Sequence, residues 1–287
     1  MIRNKIIVFF ISVVGSLSNC FTQDTLLVDT AKRVMTFEWK QLAKGVEYCE
    51  TDAPKKSIVN DSKLSILKIN PNDVAFKLLT ATEHENKSRT ANEWADSFDL
   101  DIVINAGMYD LGNILKSKGF LKNYAHHNNA LVHPTYNSAI CFSPKDSTQS
   151  KFEIFDLTCN PFDSIESDYY CIAQGMRMID CNGNPLGWNK RNQSCSMLVT
   201  ASDELGNIYF VFTRSPYTHN EMIAFLLAFP FKIKSTIYME GGPETSFYIN
   251  IGDTKIEKVG SYISNSYPND LNDHFWKLPN VIGIQVK

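Results

Sequence analysis

The sequence predicts an α+β protein, built from mixed or antiparallel β-sheets with few inserted helices, in a single large domain. Three observations carry this. Apolar segments with strand-like character, bounded by Gly, Pro, Asn and Asp, outnumber helical segments by roughly three to one. The helical segments stand singly among the strands, which argues against a doubly wound parallel sheet. No linker divides the 287 residues into halves, and with 44% hydrophobic and 21% charged residues the chain has the apolar content for a substantial core. A net charge of −3 at this hydrophobicity excludes intrinsic disorder.

In order, the chain opens with MIRNKIIVFFISVVGSLSNC. Arg3 and Lys5 precede an apolar run from Ile6 to Val14, followed by small and polar residues. That is the layout of a secretory signal peptide, and the run is too short to span a bilayer, which takes roughly 20 residues. Residues 1–20 are therefore expected to direct export to the periplasm, the outer membrane or the medium. Cys20, with Leu17 at the offset of a lipoprotein signal, offers a lipid anchor as the alternative to simple secretion. Residues 21–60 form a lead-in segment and 61–287 the main domain.

Within the lead-in, TFEWKQLAKGVEYCETD reads as strand, turn at Gly45, strand. KLSILKIN alternates as a strand and stops at Pro71; VAFKLLTA is another. RTANEWADSF is a short helix with Thr90 as N-cap and Glu93 completing a capping box. LDIVINAG is a buried strand running into Gly107, and SAICFSP, KFEIFDL and YYCIAQGMRMID are further strands before the turn CNGNPLG. SMLVTASDELGNIYFVFTR reads as a hairpin. THNEMIAFLLAF is a helix capped by Thr218 and ended by Pro230. STIYMEGG and TSFYINIG are expected to form a strand pair, and NVIGIQVK closes the chain as a strand.

Several chemistries are excluded. A pI near 6.1 leaves no basic footprint for nucleic acid. There is no G-x-S-x-G elbow, H-E-x-x-H, Walker or dinucleotide glycine loop, so the sequence requires no cofactor. The six cysteines after Cys20 contain no C-x-x-C, which argues against zinc; in an exported protein they permit disulfides with 15 pairings, and those in apolar strands read equally as buried thiols. The adjacent His126 and His127 lack the spacing that shares a helix face, so no metal site is assigned.

Two strand ends remain. In IVINAGMYD, Asn105 and Asp110 flank a small Ala-Gly pair where a buried strand emerges, and Gly107 lets backbone approach a ligand. In IYMEGGPETSFYINIG, Glu240 follows an apolar run and precedes Gly241, Gly242 and Pro243, with Glu244 just beyond. Each alone also reads as a turn. Between them, GWNKRNQSCSM crowds Lys190, Arg191 and Asn192 before a strand, and arginine suits phosphate or carboxylate; the alternative there is a solvated basic turn.

Together these segments resemble the phosphodiester glycosidase family. RTANEWADSFDLDIVINAGMYD is similar to its block with an N-(G/A)-G-(M/Y)-(F/Y) turn after a buried strand. IAQGMRMID followed by CNGNPLG, NKRNQSCSMLVTASDELGNIYFVFTR, IYMEGGPETSFYI and LPNVIGIQV resemble the later blocks in the same order, spanning Arg89 to Val286. Where many relatives have L-D-G-G-x-S, this chain has Met-Glu-Gly-Gly-Pro-Glu, and the P-x-G after the first block is replaced by ILKSKGFLKNY. The resemblance therefore carries no particular sugar. It implies an exported glycoside hydrolase-like enzyme that releases a sugar from a phosphodiester, with a carbohydrate or phospho-sugar ligand. It points to Glu240, Asn105 and Glu244 as catalytic, and to Gly107, Asp110, Arg191, Asn192, Gly241 and Gly242 as substrate-binding. The competing readings are a non-catalytic module binding a phospho-sugar or cell-wall glycan, and a surface protein whose glycine turns are structural only.

Overall fold

A computed structural model describes residues 35–187 and 193–287. The leader, Cys20 with it, and the candidates Arg191 and Asn192 lie outside the described residues. In chain order the elements are β1 (Lys40–Ala43), β2 (Val46–Asp52), β3 (Lys63–Ile69), β4 (Val74–Thr80), α1 (Ala91–Phe98), β5 (Ile102–Asn105), β6 (Tyr109–Asp110), β7 (Asn113–Ser117), β8 (Leu121–Asn123) and β9 (His126–Asn129). There follow β10 (Ser138–Pro144), β11 (Phe152–Asp156), α2 (Phe162–Asp168), β12 (Tyr169–Ile179), β13 (Ser194–Asp203), β14 (Ile208–Thr218), α3 (His219–Leu227), β15 (Ile233–Gly241), β16 (Ser246–Ile251), β17 (Thr254–Val259) and β18 (Asn280–Val286).

The expected α+β class is what the chain forms, and every described strand pairing is antiparallel. A large sheet runs β1-β2-β3-β14-β13-β15-β12-β10-β11, with β8 added to β12 and β9 to β8. A smaller sheet runs β17-β16-β5-β18-β4. The two face each other across one apolar core, in which Leu67, Phe142, Phe210 and Met239 of the large sheet meet Leu78, Ile104, Phe247 and Ile282 of the small one. Near-continuous apolar strands such as β5 and β13 need this arrangement, because both their faces are covered. The outer face of the large sheet is closed by α3 through Met222, Ile223 and Leu226. The outer face of the small sheet is closed by α1 through Trp94 and Ala95. Both helices start where the sequence places them, with complete capping boxes at Thr90/Glu93 and Thr218/Glu221.

Two expectations are corrected. The lead-in is not separate from the domain: β2 pairs with β3 from Val46↔Ile69 to Asp52↔Lys63, so 40–52 is part of the large sheet. The segments STIYMEGG and TSFYINIG do not pair. β15 lies between β13 and β12 in the large sheet, and β16 between β17 and β5 in the small one. A 3₁₀ turn at Gly242–Glu244, with Gly242 at φ +79° and Pro243 fixing the next φ, redirects the chain from one sheet to the other. Residues 109–129, to which the sequence reading assigned no element, form the hairpin β6–β7 and the strands β8 and β9. Their strands are short and rich in Asn, Lys and His, so the alternation that marks longer strands is absent.

Of the cysteines, Cys159 and Cys181 form a disulfide, while Cys49, Cys141, Cys171 and Cys195 are buried thiols. The bridge joins the turns after β11 and β12, where Asp156 also binds Arg177 and the Cys181 amide. His126 hydrogen-bonds Thr82 at 2.8 Å and His127 faces Glu166 at 3.7 Å. The two rings thus have different partners and share no site.

A carboxylate pair at the junction of the two sheets

The passage from β15 to β16 is the one place where the acidic turn meets the end of β5. Its geometry starts with a bulge. Glu240 pairs with Leu198 and Tyr238 with Val199, so Met239 is an extra residue in β15. Bulges re-aim the side chain beside them. Here Met239 enters the core between the sheets, while Tyr238 enters the core under α3.

Glu240 is 8% exposed. One carboxylate oxygen accepts the Gly241 amide at 3.0 Å. Burial, and then the charge of Glu244, push its carboxyl up to about 8, the Gly241 amide pulling the other way. A carboxyl in this position keeps its proton at neutral pH because one amide does not replace the lost water.

Glu244 is only partly buried. Its side chain accepts the Tyr109 hydroxyl at 3.0 Å. Burial, then Glu244, hold the Tyr109 phenol well above its usual range, with Glu240 adding to the effect. Tyr109 therefore stays a hydrogen-bond donor that senses both carboxylates. It sits in the AGMYD turn but was not singled out from sequence; nothing local separates it from an ordinary aromatic of a turn.

Asn105 is at the same junction. Its amide nitrogen donates to the Glu244 carbonyl at 3.0 Å and its amide oxygen accepts the Ser246 amide at 2.8 Å. Both ends of this buried side chain thus clamp the backbone on either side of Thr245. A second clamp comes from Asn272, which donates to the carbonyls of Gly260 and Pro243 at 2.7 and 3.4 Å. The turn that carries Glu244 is held from the small sheet, while Glu240 is held by the large one.

The remaining sequence candidates are distributed as follows. Gly107, two residues past the end of β5, lies at φ +118°, a conformation that favours glycine. Asp110 faces away into its own hairpin, accepting the Gly112 amide at 2.9 Å with Lys118 at 3.5 Å. Gly242 needs its positive φ, and a Cβ there would overlap Ile263. Gly241 is needed for space: a Cβ would overlap the Tyr238 hydroxyl and stand 3.0 Å from Cys195 Sγ.

Behind Gly241 lies a buried polar cluster that the sequence reading missed. The Tyr238 hydroxyl is 3.8 Å from Cys195 Sγ, and the His219 ring packs 4.6 Å from the Tyr238 ring. Burial pushes the Cys195 thiol up to about 12 and raises the Tyr238 phenol strongly. No local signal marked the cluster, because the bulge at Met239 breaks the two-residue period between Tyr238 and Glu240. Gly241→Ala is expected to destabilise the fold by about 1–3 kcal/mol through overpacking. Adding Tyr238→Phe should recover part of that loss, because the overlapping atom is removed. Thermal unfolding of the two single variants and the double variant checks this; additive losses would show that the hydroxyl is not the obstacle.

No family model matches the chain, and no curated protein matches it. What the fold and junction define is a two-sheet antiparallel α+β architecture with a buried carboxyl where the sheets meet. Among solved structures, the two-sheet fold alone is shared with a hypothetical protein from Synechocystis, at TM-score 0.55 and 14% identity, covering 88% of this chain and 64% of that one. It is shared too with the zebrafish N-acetylglucosamine-1-phosphodiester α-N-acetylglucosaminidase catalytic domain, described as auto-inhibited by its pro-peptide, at TM-score 0.54 and 11% identity, covering 89% of each chain. At these identities the likeness is one of fold.

Proposed function

We propose that the protein is an exported hydrolase that releases a sugar from a phosphodiester, with Glu240 and Glu244 as its working carboxyl groups. The observation that carries this is the unequal pair itself: a buried carboxyl that keeps its proton at neutral pH, beside a second carboxylate bonded to a tyrosine. Environments that push two carboxyl groups apart assign an acid and a base.

The roles follow from charge. A phosphodiester is anionic, so an ionised carboxylate would repel it, whereas protonated Glu240 donates a hydrogen bond to a phosphate oxygen. The leaving phosphate monoester is a weak base, so the Glu240 proton is only partly transferred to it as the bond breaks, a transfer that an amide cannot make. The monoester departs with the electron pair of the anomeric C–O bond, through an oxocarbenium-like state. Glu244, oriented by Tyr109, faces that developing positive charge and takes the proton of the water whose oxygen bonds the anomeric carbon. Asn105 acts here as a positioning residue for the Glu244 turn. The fold shared with the zebrafish glycosidase supports the reaction class and leaves the sugar open.

The test is hydrolysis of an aryl sugar-phosphate diester by the purified protein, with Glu240→Gln as the paired variant. Tight binding of the sugar phosphate without turnover would replace this reading by that of a glycan-binding module.

Export is part of the proposal. The leader sequence motivates it, and the Cys159–Cys181 disulfide supports it, since such bridges persist in oxidising compartments. Mass spectrometry of protein from the envelope or medium of its native host is expected to find residues 1 to about 19 removed, with or without a lipid on Cys20. Recovery of intact Met1 there would contradict signal cleavage.

A further inference from the structure

The hairpin that supplies Tyr109 belongs to an unusual stretch of chain. From Leu111 to Lys145 there is no Asp or Glu, although the chain has 31 acidic residues; the stretch holds Lys116, Lys118, Lys122, Lys145 and three of the six histidines. The same region concentrates the exposed apolar side chains. Leu111 is 87% exposed at the tip of the β6–β7 hairpin and Ile114 59%, while Leu131 is 70% and Val132 46% exposed. These two groups are held together. Asn128 accepts the Ser117 amide at 2.7 Å and donates to the Leu115 carbonyl at 2.8 Å, and Asn129 donates to the Ser117 carbonyl at 2.9 Å. Thus the chain leading to Leu131 is fastened to the base of the hairpin. Strand alternation puts Ile114 and Lys116 on one face of β7, with Leu115 turned inward against the core under α1.

We propose that this surface, formed by Leu111, Ile114, Leu131 and Val132 with Lys116 and Lys118, docks on an anionic lipid bilayer. Apolar tips among lysines are what a bilayer surface accepts: the side chains enter the acyl boundary and the ammonium groups meet anionic headgroups. A soluble polyanion would use the lysines and leave the apolar tips in water, so the bilayer is the partner that satisfies both. Asp110 borders the stretch, and Lys116 and Lys118 both act on it, so the patch keeps a positive balance. Docking would place the Tyr109 end of the carboxylate site towards the membrane, but the inference does not depend on the proposed hydrolysis.

The experiment uses the full chain with Cys20→Ser to remove acylation and Leu111→Cys labelled with an environment-sensitive nitrobenzoxadiazole probe. The thiols at Cys49, Cys141, Cys171 and Cys195 are buried and do not compete for label. Phosphatidylcholine vesicles containing phosphatidylglycerol are expected to raise probe emission, with little change on phosphatidylcholine alone. Lys116→Gln should raise the lipid concentration required by about five-fold, as one surface lysine does. A probe at Leu205, on the β13–β14 turn at the far end of β13 from the site, should stay silent. A silent probe at position 111, an equal response at 205, an equal response to neutral vesicles, or a response to soluble polyphosphate alone would each overturn the assignment.

Discussion

Glu240→Gln is expected to lower turnover of a sugar-phosphate diester by at least about 100-fold, the lower range for losing an acid–base group, while stabilising the protein at alkaline pH. The two effects have one cause. In the unfolded chain Glu240 titrates near the ordinary carboxyl value of 4.5, whereas in the fold burial and the Glu244 charge push it up to about 8. Between those values the unfolded chain releases a proton that the folded chain retains. Stability therefore falls as pH rises through this window, and is unaffected below it. Glutamine has no such proton. The variant should match the wild type near pH 4 and exceed it by pH 8, by an amount on the order of a few kcal/mol. Wild-type activity should decline above about pH 8 as Glu240 ionises. Denaturant unfolding at both pH values, with turnover per folded molecule, checks both halves. Normal turnover in the variant would remove Glu240 from the chemistry, and a stability difference independent of pH would mean that Glu240 is ionised in the fold.

Asn105→Ala is expected to cost about 1–3 kcal/mol, since it orphans the buried Ser246 amide and removes one of two hydrogen bonds on the Glu244 carbonyl, which keeps the Ser246 hydroxyl at 3.2 Å. The loss should extend beyond stability. With the clamp gone, Glu244 is held only by the rest of its turn, so turnover of the folded fraction should fall while substrate binding changes less. Melting temperature and a kcat-against-KM comparison separate the two. A variant that is destabilised but turns over normally would leave Asn105 as a structural residue with no part in setting Glu244. Glu244→Gln is the companion variant: it keeps the Asn105 clamp, so an equal loss of turnover with little loss of stability would trace the Asn105 effect to the carboxylate.

Much of the architecture could be read from the chain because its signals are local. The capping boxes at Thr90 and Thr218, the apolar runs of β5 and β13, and the Asp203–Gly206 turn each depend on residues within a few positions of one another. So do the glycine turns after Asn105 and Glu240, which drew attention to both strand ends. The sequence could not say that β15 and β16 enter different sheets, because strand partners are chosen by long-range burial and a Gly-Gly-Pro turn serves a hairpin as well as a sheet change. Nor could it find the Met239 bulge, which is defined only against β13, or the weakly patterned strands between Tyr109 and Asn129. The same limit applies at the site. The residue types of Glu240, Glu244 and Asn105 were legible, but their distinct roles were not. A carboxyl's proton affinity is set by the water it has lost and the charges brought near it, and that Glu240 is buried, that Glu244 meets Tyr109, and that Asn105 clamps backbone instead of facing open space were decided only when the two sheets packed together.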